Sequence, residues 1–281
     1  MAATGNLTAA PPAARPIVSP VTWLRIALIV AIVVIWEVVA WSGLLFRDVV
    51  PSLTKILRQL FLILTHPDYV LKIDLALGDF GLAFDLMIPE FYRHLWVTMA
   101  EVATATVIGG LAGLAIGLAL GANPFLSRAF ERFLYYLGPT PKIIFFPIMI
   151  MWFGVGPSSK VAMGTISCFF PVALSAAAGM RQIESVLIRV GRSFRANSWQ
   201  MVTKIYLPAM RQPIVNGVRL GMGVAVIGTL LAETKLSNRG VGFLIINAYS
   251  TFDMPSMYAL LILLFVVAIG ANALVAHASR G

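Results

Sequence analysis

The sequence is short of charge. Of its 281 residues, 21 are Lys or Arg and 12 are Asp or Glu, so 12% are charged, while 59% are hydrophobic. A soluble domain carries roughly 25% charged residues, and with a mean hydropathy of +0.88 this chain must have lipid as its main solvent. It has one cysteine, Cys168, inside an apolar run. That excludes an intrachain disulfide and leaves the redox compartment undetermined; the simplest reading of Cys168 is a small core residue. The three histidines, His66, His94 and His277, lie outside the apolar runs and near no paired carboxylates at metal-ligand spacing. No Ser or Cys has a visible base, so an intramembrane enzyme finds no support. Nor does the chain contain G-x-x-x-x-G-K-[ST], the loop that cradles nucleotide phosphates.

What is present is apolar length. A hydrocarbon core of ~30 Å takes about 20 mostly apolar residues to cross as a helix. Six regions qualify, at approximately 23–45, 95–120, 136–154, 161–180, 212–232 and 256–276. The third is the weakest, broken by Pro139 and Pro141 with Lys142 beside them. Residues 1–20, rich in Ala and Pro, lack the charged start and short apolar core of a cleavable signal and read as a disordered tail before a retained first helix, 21–45. The expected class is therefore all-α, a polytopic bundle of six transmembrane helices.

Charge sets the orientation. Between the fourth and fifth regions lie Arg181, Arg189, Arg192, Arg195, Lys204 and Arg211 with Glu184 as the only acid, whereas 46–94 mixes both signs. Short loops rich in Lys and Arg stay cytoplasmic. Loop 181–211 is thus inside, as are both termini, and 46–94 is an extracytoplasmic segment. With the basic excess gathered there, the net charge of +9 gives no case for nucleic acid.

Within 46–94, "LTKILRQLFLIL" has helical apolar spacing and reads as a surface helix or part of a small cap, with a solvated connector as the alternative. The second region carries Gly109, Gly113, Gly117 and Gly121, one every four residues, and the fifth repeats the idea with Gly217 and Gly221. Such stripes let another helix backbone approach closely, which drives association in lipid. Three ionisable groups fall in apolar runs. Arg219 and Glu101 lie near enough to span ends to snorkel. Glu37, beside Trp36, is the deeper one, and a hydrogen bond between helices or at the interface is favoured for it over a transport role.

The most polar ordered passage is "GRSFRANSWQMVTKIYLPAMRQP", 191–213. Upstream, Ile183, Val186, Leu187, Val190 and Phe194 form a helical apolar stripe, with Arg189, Arg192 and Arg195 stepping along another face. This helix should end near Ala196, because Asn197 with Gln200 makes a capping box for a second helix carrying Trp199, Val202, Ile205 and Tyr206. Pro208 should stop that helix. The expectation is a helix-turn-helix unit with its apolar side against the bundle and its polar side outward. Two roles are open to it: binding anionic membrane lipid, or docking a cytoplasmic partner protein.

The order G-R-S-x-x-A-x-x-W-Q followed by I-x-L-P resembles the cytoplasmic coupling loop, or EAA loop, of permease subunits in binding-protein-dependent ABC importers. Its pattern, E-A-A-x-x-x-G and then I-x-L-P, falls on Arg189, Val190 and Gly191, on Arg195, and on Ile205, Leu207 and Pro208. Arginine thus stands where the family has glutamate and glycine. "PTPKIIFFPIMIMWFGVGPSSKVAM" and "LLAETKLSNRGVGFLI", with Glu233, Gly240 and Gly242, are similar to stretches of the nitrate, sulfonate and taurine branch. The likeness covers about 95–276, and 67–93 looks like an insertion.

The resemblance implies a type I ABC importer permease fold over 95–276, in a bacterial inner membrane, with a coupling loop at 181–211. The ATPase-coupling residues it implies are Arg189, Gly191, Arg192, Ser193, Phe194, Arg195, Ala196, Trp199, Gln200, Ile205, Leu207 and Pro208. It further implies a cytoplasmic ABC ATPase dimer, a second permease subunit (in the simplest case an identical copy), and an extracytoplasmic solute-binding protein touching 46–94 and 233–255. The permease needs no cofactor and catalyses no reaction of its own. The implied solute is nitrate, taurine, an alkanesulfonate or a similar small anion, moved by ATP-driven alternating access. The competing reading is an ATP-independent secondary transporter or channel, for which Glu37 is the one supporting residue.

Overall fold

The computed structural model describes residues 20–43, 49–67, 69–77, 80–235 and 237–278. The chain divides into two units, one ending at Leu53 and the other beginning at Thr54.

The first unit is built on α1 (Pro20–Ser42). Its Val21–Ser42 stretch has hydropathy 2.3 and buries none of its residues, as suits a helix apolar all round and solvated by lipid. Near its end the Trp36 indole donates to the Pro51 carbonyl at 3.1 Å. The Glu37 carboxylate accepts from the Trp41 indole at 2.9 Å and from the Leu53 N–H at 3.1 Å. Glu37 therefore ties the chain back onto the helix that carries it, a hydrogen-bonding task rather than an ion pathway.

The second unit opens with α2 (Leu53–Thr65), the surface helix expected from "LTKILRQLFLIL". Next comes an antiparallel hairpin, β1 (Tyr69–Leu77) and β2 (Phe80–Ile88), in register Tyr69↔Ile88 to Leu77↔Phe80. It is the sole strand pair among the described residues, hung on a bundle that is otherwise all-helical, and it occupies the 67–93 insertion. Large apolar residues at every second position of "YVLKIDLAL" and "FGLAFDLMI", with Lys72, Asp74 and Asp85 between them, give the period-2 pattern that accounts for it.

The bundle comprises α3 (Glu90–Ala122), α4 (Pro124–Leu137), α5 (Phe146–Phe153) after a short 3₁₀ turn, and α6 (Pro157–Arg181). Then follow α10 (Arg211–Glu233), α11 (Val241–Ser250) and α12 (Met254–Ala278), with a short-helix segment between α6 and α10 described below. Among the described residues five helices are long and apolar enough to cross a membrane. The third apolar region forms a bent pair, α4 and the 142–153 helix meeting at 97°, which counts as a sixth span if it crosses as one unit. Pro139 and Pro141 sit at that break. Lys142 donates to the Gly138 carbonyl and lies 5.1 Å from the Phe170 ring centroid, which lets a cation sit at the bend.

At the centre, α3, α6 and α10 pack on one another. A Cβ on Gly109 would stand 2.6 Å from the Thr165 carbonyl oxygen, one on Gly113 2.7 Å from that of Phe169, and one on Gly117 2.5 Å from that of Ala173, while Gly121 takes the Met180 side chain. All four glycines thus face α6, whose backbone lies where their side chains would be. The α10 pair does the same from the other side, Gly217 against Ser175 and Gly221 against Cys168. Cys168 is fully buried in this seam.

Adding bulk to a tight interior costs about 1–3 kcal/mol when neighbours can shift. Here the obstacle at Gly113 is backbone, so Gly113→Leu is expected to exceed that range. Detergent-solubilised protein should lose its monodisperse chromatographic profile, and a normal profile with full activity would show that this face of α3 is open to lipid.

Candidate functional site

The segment joining α6 to α10 consists of α7 (Ser185–Ser193), α8 (Ser198–Met201), one π turn over Val202–Tyr206, and α9 (Leu207–Ala209). The end of α7 closes by two backbone bonds: Ala196 N–H to the Gly191 carbonyl at 3.0 Å and Arg195 N–H to the Arg192 carbonyl at 2.9 Å. That pattern is a Schellman motif, and its closing residue must be left-handed. Arg195 occupies that position with φ 53°. This is why the resembled family carries glycine there. The arginine keeps the turn at a cost, since a left-handed conformation disfavours any residue with a Cβ.

The second helix starts as the capping box requires. Asn197 Oδ1 accepts from the Gln200 N–H at 2.8 Å and Gln200 Oε1 accepts from the Asn197 N–H at 2.9 Å. Pro208 does not stop it, contrary to the expectation from sequence. The turn widens first, so that the Leu207 N–H reaches the Val202 carbonyl. In this wider turn the missing donor and bulky ring of Pro208 are accommodated. Gly191 is buried because the tips of Ile205 and Met201 occupy the space of its absent side chain, which locks the two helices together. At the root, Ile183, Tyr206 and Ile214 pack on Ala176, Met180 and Met210.

The direction of the apolar stripe differs from expectation. Ile183 points inward, but Val186, Leu187 and Val190 are exposed, and Phe194 and Trp199 are 83% and 73% exposed. Gly191 holds the inner face, so the rest of the stripe turns outward. Arg189, Arg192, Ser193, Arg195 and Pro208 are also exposed, with Ala196, Gln200, Ile205 and Leu207 half-buried. A contiguous apolar surface rimmed by cations marks an interaction face.

The opposite end of the bundle holds a polar cluster that composition did not reveal. The first backbone N–H groups of α11 and the residue before it are received one by one. Gly240 N–H donates to His94 Nδ1 at 2.9 Å, Val241 N–H to Thr98 Oγ1 at 2.8 Å, and Gly242 N–H to Glu233 Oε2 at 2.7 Å. The Thr98 hydroxyl donates in turn to Glu233 Oε1 at 2.7 Å. The other ring nitrogen of His94, Nε2, pairs with Glu90 Oε1 at 3.1 Å. Glu101 and Lys160, both buried, lie beside Glu233. Glu101 therefore does not snorkel: α3 begins at Glu90, which puts this residue three turns inside the bundle. A stripe of His94, Thr98 and Glu101 at i, i+4 and i+7 in an otherwise apolar helix was the available signal.

Five apolar helices and a bent pair, together with an exposed pair of capped short helices, suit a transport permease. Residues 106–281 match the family described as binding-protein-dependent transport system inner membrane component, and the chain belongs to that family, the permeases of ABC importers. It is similar to the taurine transport system permease protein TauC of Escherichia coli K12, 30% identical over 162 residues. That match takes in 58% of this chain and 59%, less than two thirds, of TauC. SsuC of Bacillus subtilis 168, named for aliphatic sulfonates transport, is 27% identical over 246 residues, 87% of this chain and 81% of SsuC. Among solved structures, an inward-facing MetNI methionine ABC transporter chain superposes with TM-score 0.61 at 20% identity, over 68% of this chain and 95% of that one. This likeness speaks to the fold; the family is described as an inner membrane component, and the several apolar helices make this chain a multi-pass one.

Two outcomes follow from the turn geometry. Arg195→Gly should stabilise the α7 end by up to about 1 kcal/mol, read as slower hydrogen exchange at the Ala196 amide; faster exchange would contradict the left-handed assignment. Gly240 has φ 102°, and a Cβ there would collide with the Glu233 carboxyl. Gly240→Ala should therefore lower the apparent Tm, whereas Gly223→Ala, where a Cβ meets nothing, should not.

Proposed function

We propose that the chain is one of two permease subunits that carry a small anionic solute inward by ATP-driven alternating access. The solute is of the taurine, alkanesulfonate or nitrate kind and arrives from an extracytoplasmic binding protein. ATP is bound by a separate cytoplasmic ATPase dimer, because this chain has no phosphate loop. The names of TauC and SsuC support the solute class, and the basic 181–211 segment supports the orientation with this segment and both termini inside.

The observation that carries the reading is the exposed stripe of Val186, Leu187, Val190, Phe194 and Trp199 on a helix pair closed at both inner ends. Binding to lipid asks only for basic amphipathicity. A Schellman turn, a capping box and a glycine contact instead make the pair stiff, and stiffness is what a lever requires. Its root joins α6 and α10, so displacement of the pair moves two crossings of the bundle together. Arg189, Arg192, Arg195 and Ser193 surround the stripe and would meet acids or carbonyl oxygens on the ATPase. Gln200, Ala196, Ile205, Leu207 and Pro208 hold the shape behind them.

Phe194→Asp or Trp199→Asp should abolish co-purification of the ATPase while membrane insertion and chromatographic behaviour stay normal. Undiminished co-purification in both variants would overturn docking through this loop. Retained ATPase with loss of co-purifying anionic lipid would favour lipid binding.

A further inference from the structure

The short helix α11 separates two cavities of opposite character at the end of the bundle away from the coupling pair. On one side lies a cavity of 200 Å³ whose charged lining is acidic, Glu90 and Asp253. On the other lies a bowl of 690 Å³ between the start of α6, the end of α10 and α11, lined by Gly156, Lys235, Ser237, Asn238, Asn247 and Ser250 among others. Lys235 is its only charged lining residue. Glu233, two residues earlier, is fully buried and bound to Thr98 and Gly242, so its charge is withdrawn from the bowl.

The hydroxyls of the bowl are already committed. Ser250 donates to the Ile246 carbonyl, Thr234 to that of Leu231, and Ser237 to that of Arg239. The Lys235 ammonium and the Asn238 and Asn247 side-chain amides make no hydrogen bond within the protein among the described residues. What the bowl offers a ligand is therefore three nitrogen donor groups, one of them cationic, and no carboxylate. That set suits a small oxyanion: several acceptor oxygens share one negative charge, the ammonium supplies the opposite point charge, and the amides can donate to the remaining oxygens. A cationic solute would find its charge unmatched here and better matched by Glu90 and Asp253 across α11.

We infer that this bowl is where the permease receives its anionic solute, with Lys235 as the charge that selects it and Asn238 and Asn247 as the neutral donors beside it. The inference rests on the anion importer reading above and gives that reading a location. Position also favours it: the bowl opens where α6, α10 and α11 end, opposite the coupling pair. The latch of His94, Thr98 and Glu233 onto Gly240–Gly242 fixes one wall.

The test uses the complete assembly of permease, ATPase and binding protein in proteoliposomes, with methanesulfonate and nitrate as probes. Lys235 is exposed, so its replacement leaves the fold intact. Lys235→Glu should lower the uptake rate at saturating binding protein at least about tenfold, as loss of one charge-assisted contact predicts. Lys235→Gln should lie between, and Lys235→Arg should retain most of the rate. ATP hydrolysis stimulated by the binding protein should persist in all three. Uptake unchanged in Lys235→Glu overturns the bowl while leaving the importer reading intact. Parallel loss of stimulated hydrolysis makes Lys235 a contact for the binding protein and likewise overturns the bowl. Absence of uptake of either anion by the unaltered assembly overturns both.

Discussion

Lipid tails are as apolar as leucine, so nothing comparable to water pushes these helices together. Their cohesion depends on how closely backbones approach. In this chain the approach is set by the α3 glycines against α6, answered by the α10 glycines from the other side. The rest of the second unit is arranged around that three-helix seam. The exposed helix pair stands before Arg211 at one end of α10 and the latch at Glu233 at the other, and both keep their relation only while α6 and α10 stay in register.

The two ends solve one problem, the unpaired backbone groups of helix termini, in different ways. At the coupling pair the solution is local, with neighbouring residues closing α7 and opening α8. At the latch it is distant in sequence, residues of α3 and α10 receiving the N–H groups of α11. Local closure leaves the pair able to move as one body; distant closure binds α11 to the seam. A rigid tab at one end and a fastened cap at the other is a division suited to force that enters at one side and solute that enters at the opposite side.

Most of the bundle was legible because span length and glycine spacing depend on few variables. The six apolar regions, the capping box at Asn197 and the facing of Gly109 to Gly121 all follow from the sequence alone. The outward turn of Val186, Leu187 and Val190 was not legible, since a stripe tells that one face is apolar and not which way it points. Gly191 was the hint, since it is the one residue of the α7 surface small enough for Ile205 and Met201 to pack into. Pro208 misled because the widening of the preceding turn has no sequence marker. The cluster around Glu233 was hidden by distance, 135 residues separating it from Thr98. The 69–88 hairpin was overlooked because its alternation lay inside a segment read for helical period.

The single thiol has a practical meaning. Cys168 is sealed in the seam, fully buried with its sulfur against Gly221 of α10. Maleimide and spin-label reagents cannot reach it in the folded protein, so the natural chain already serves as a silent background for site-directed labelling. A cysteine introduced at the tip of the helical tab would be the sole reactive handle, ready for distance spectroscopy across a transport cycle without any native residue being removed.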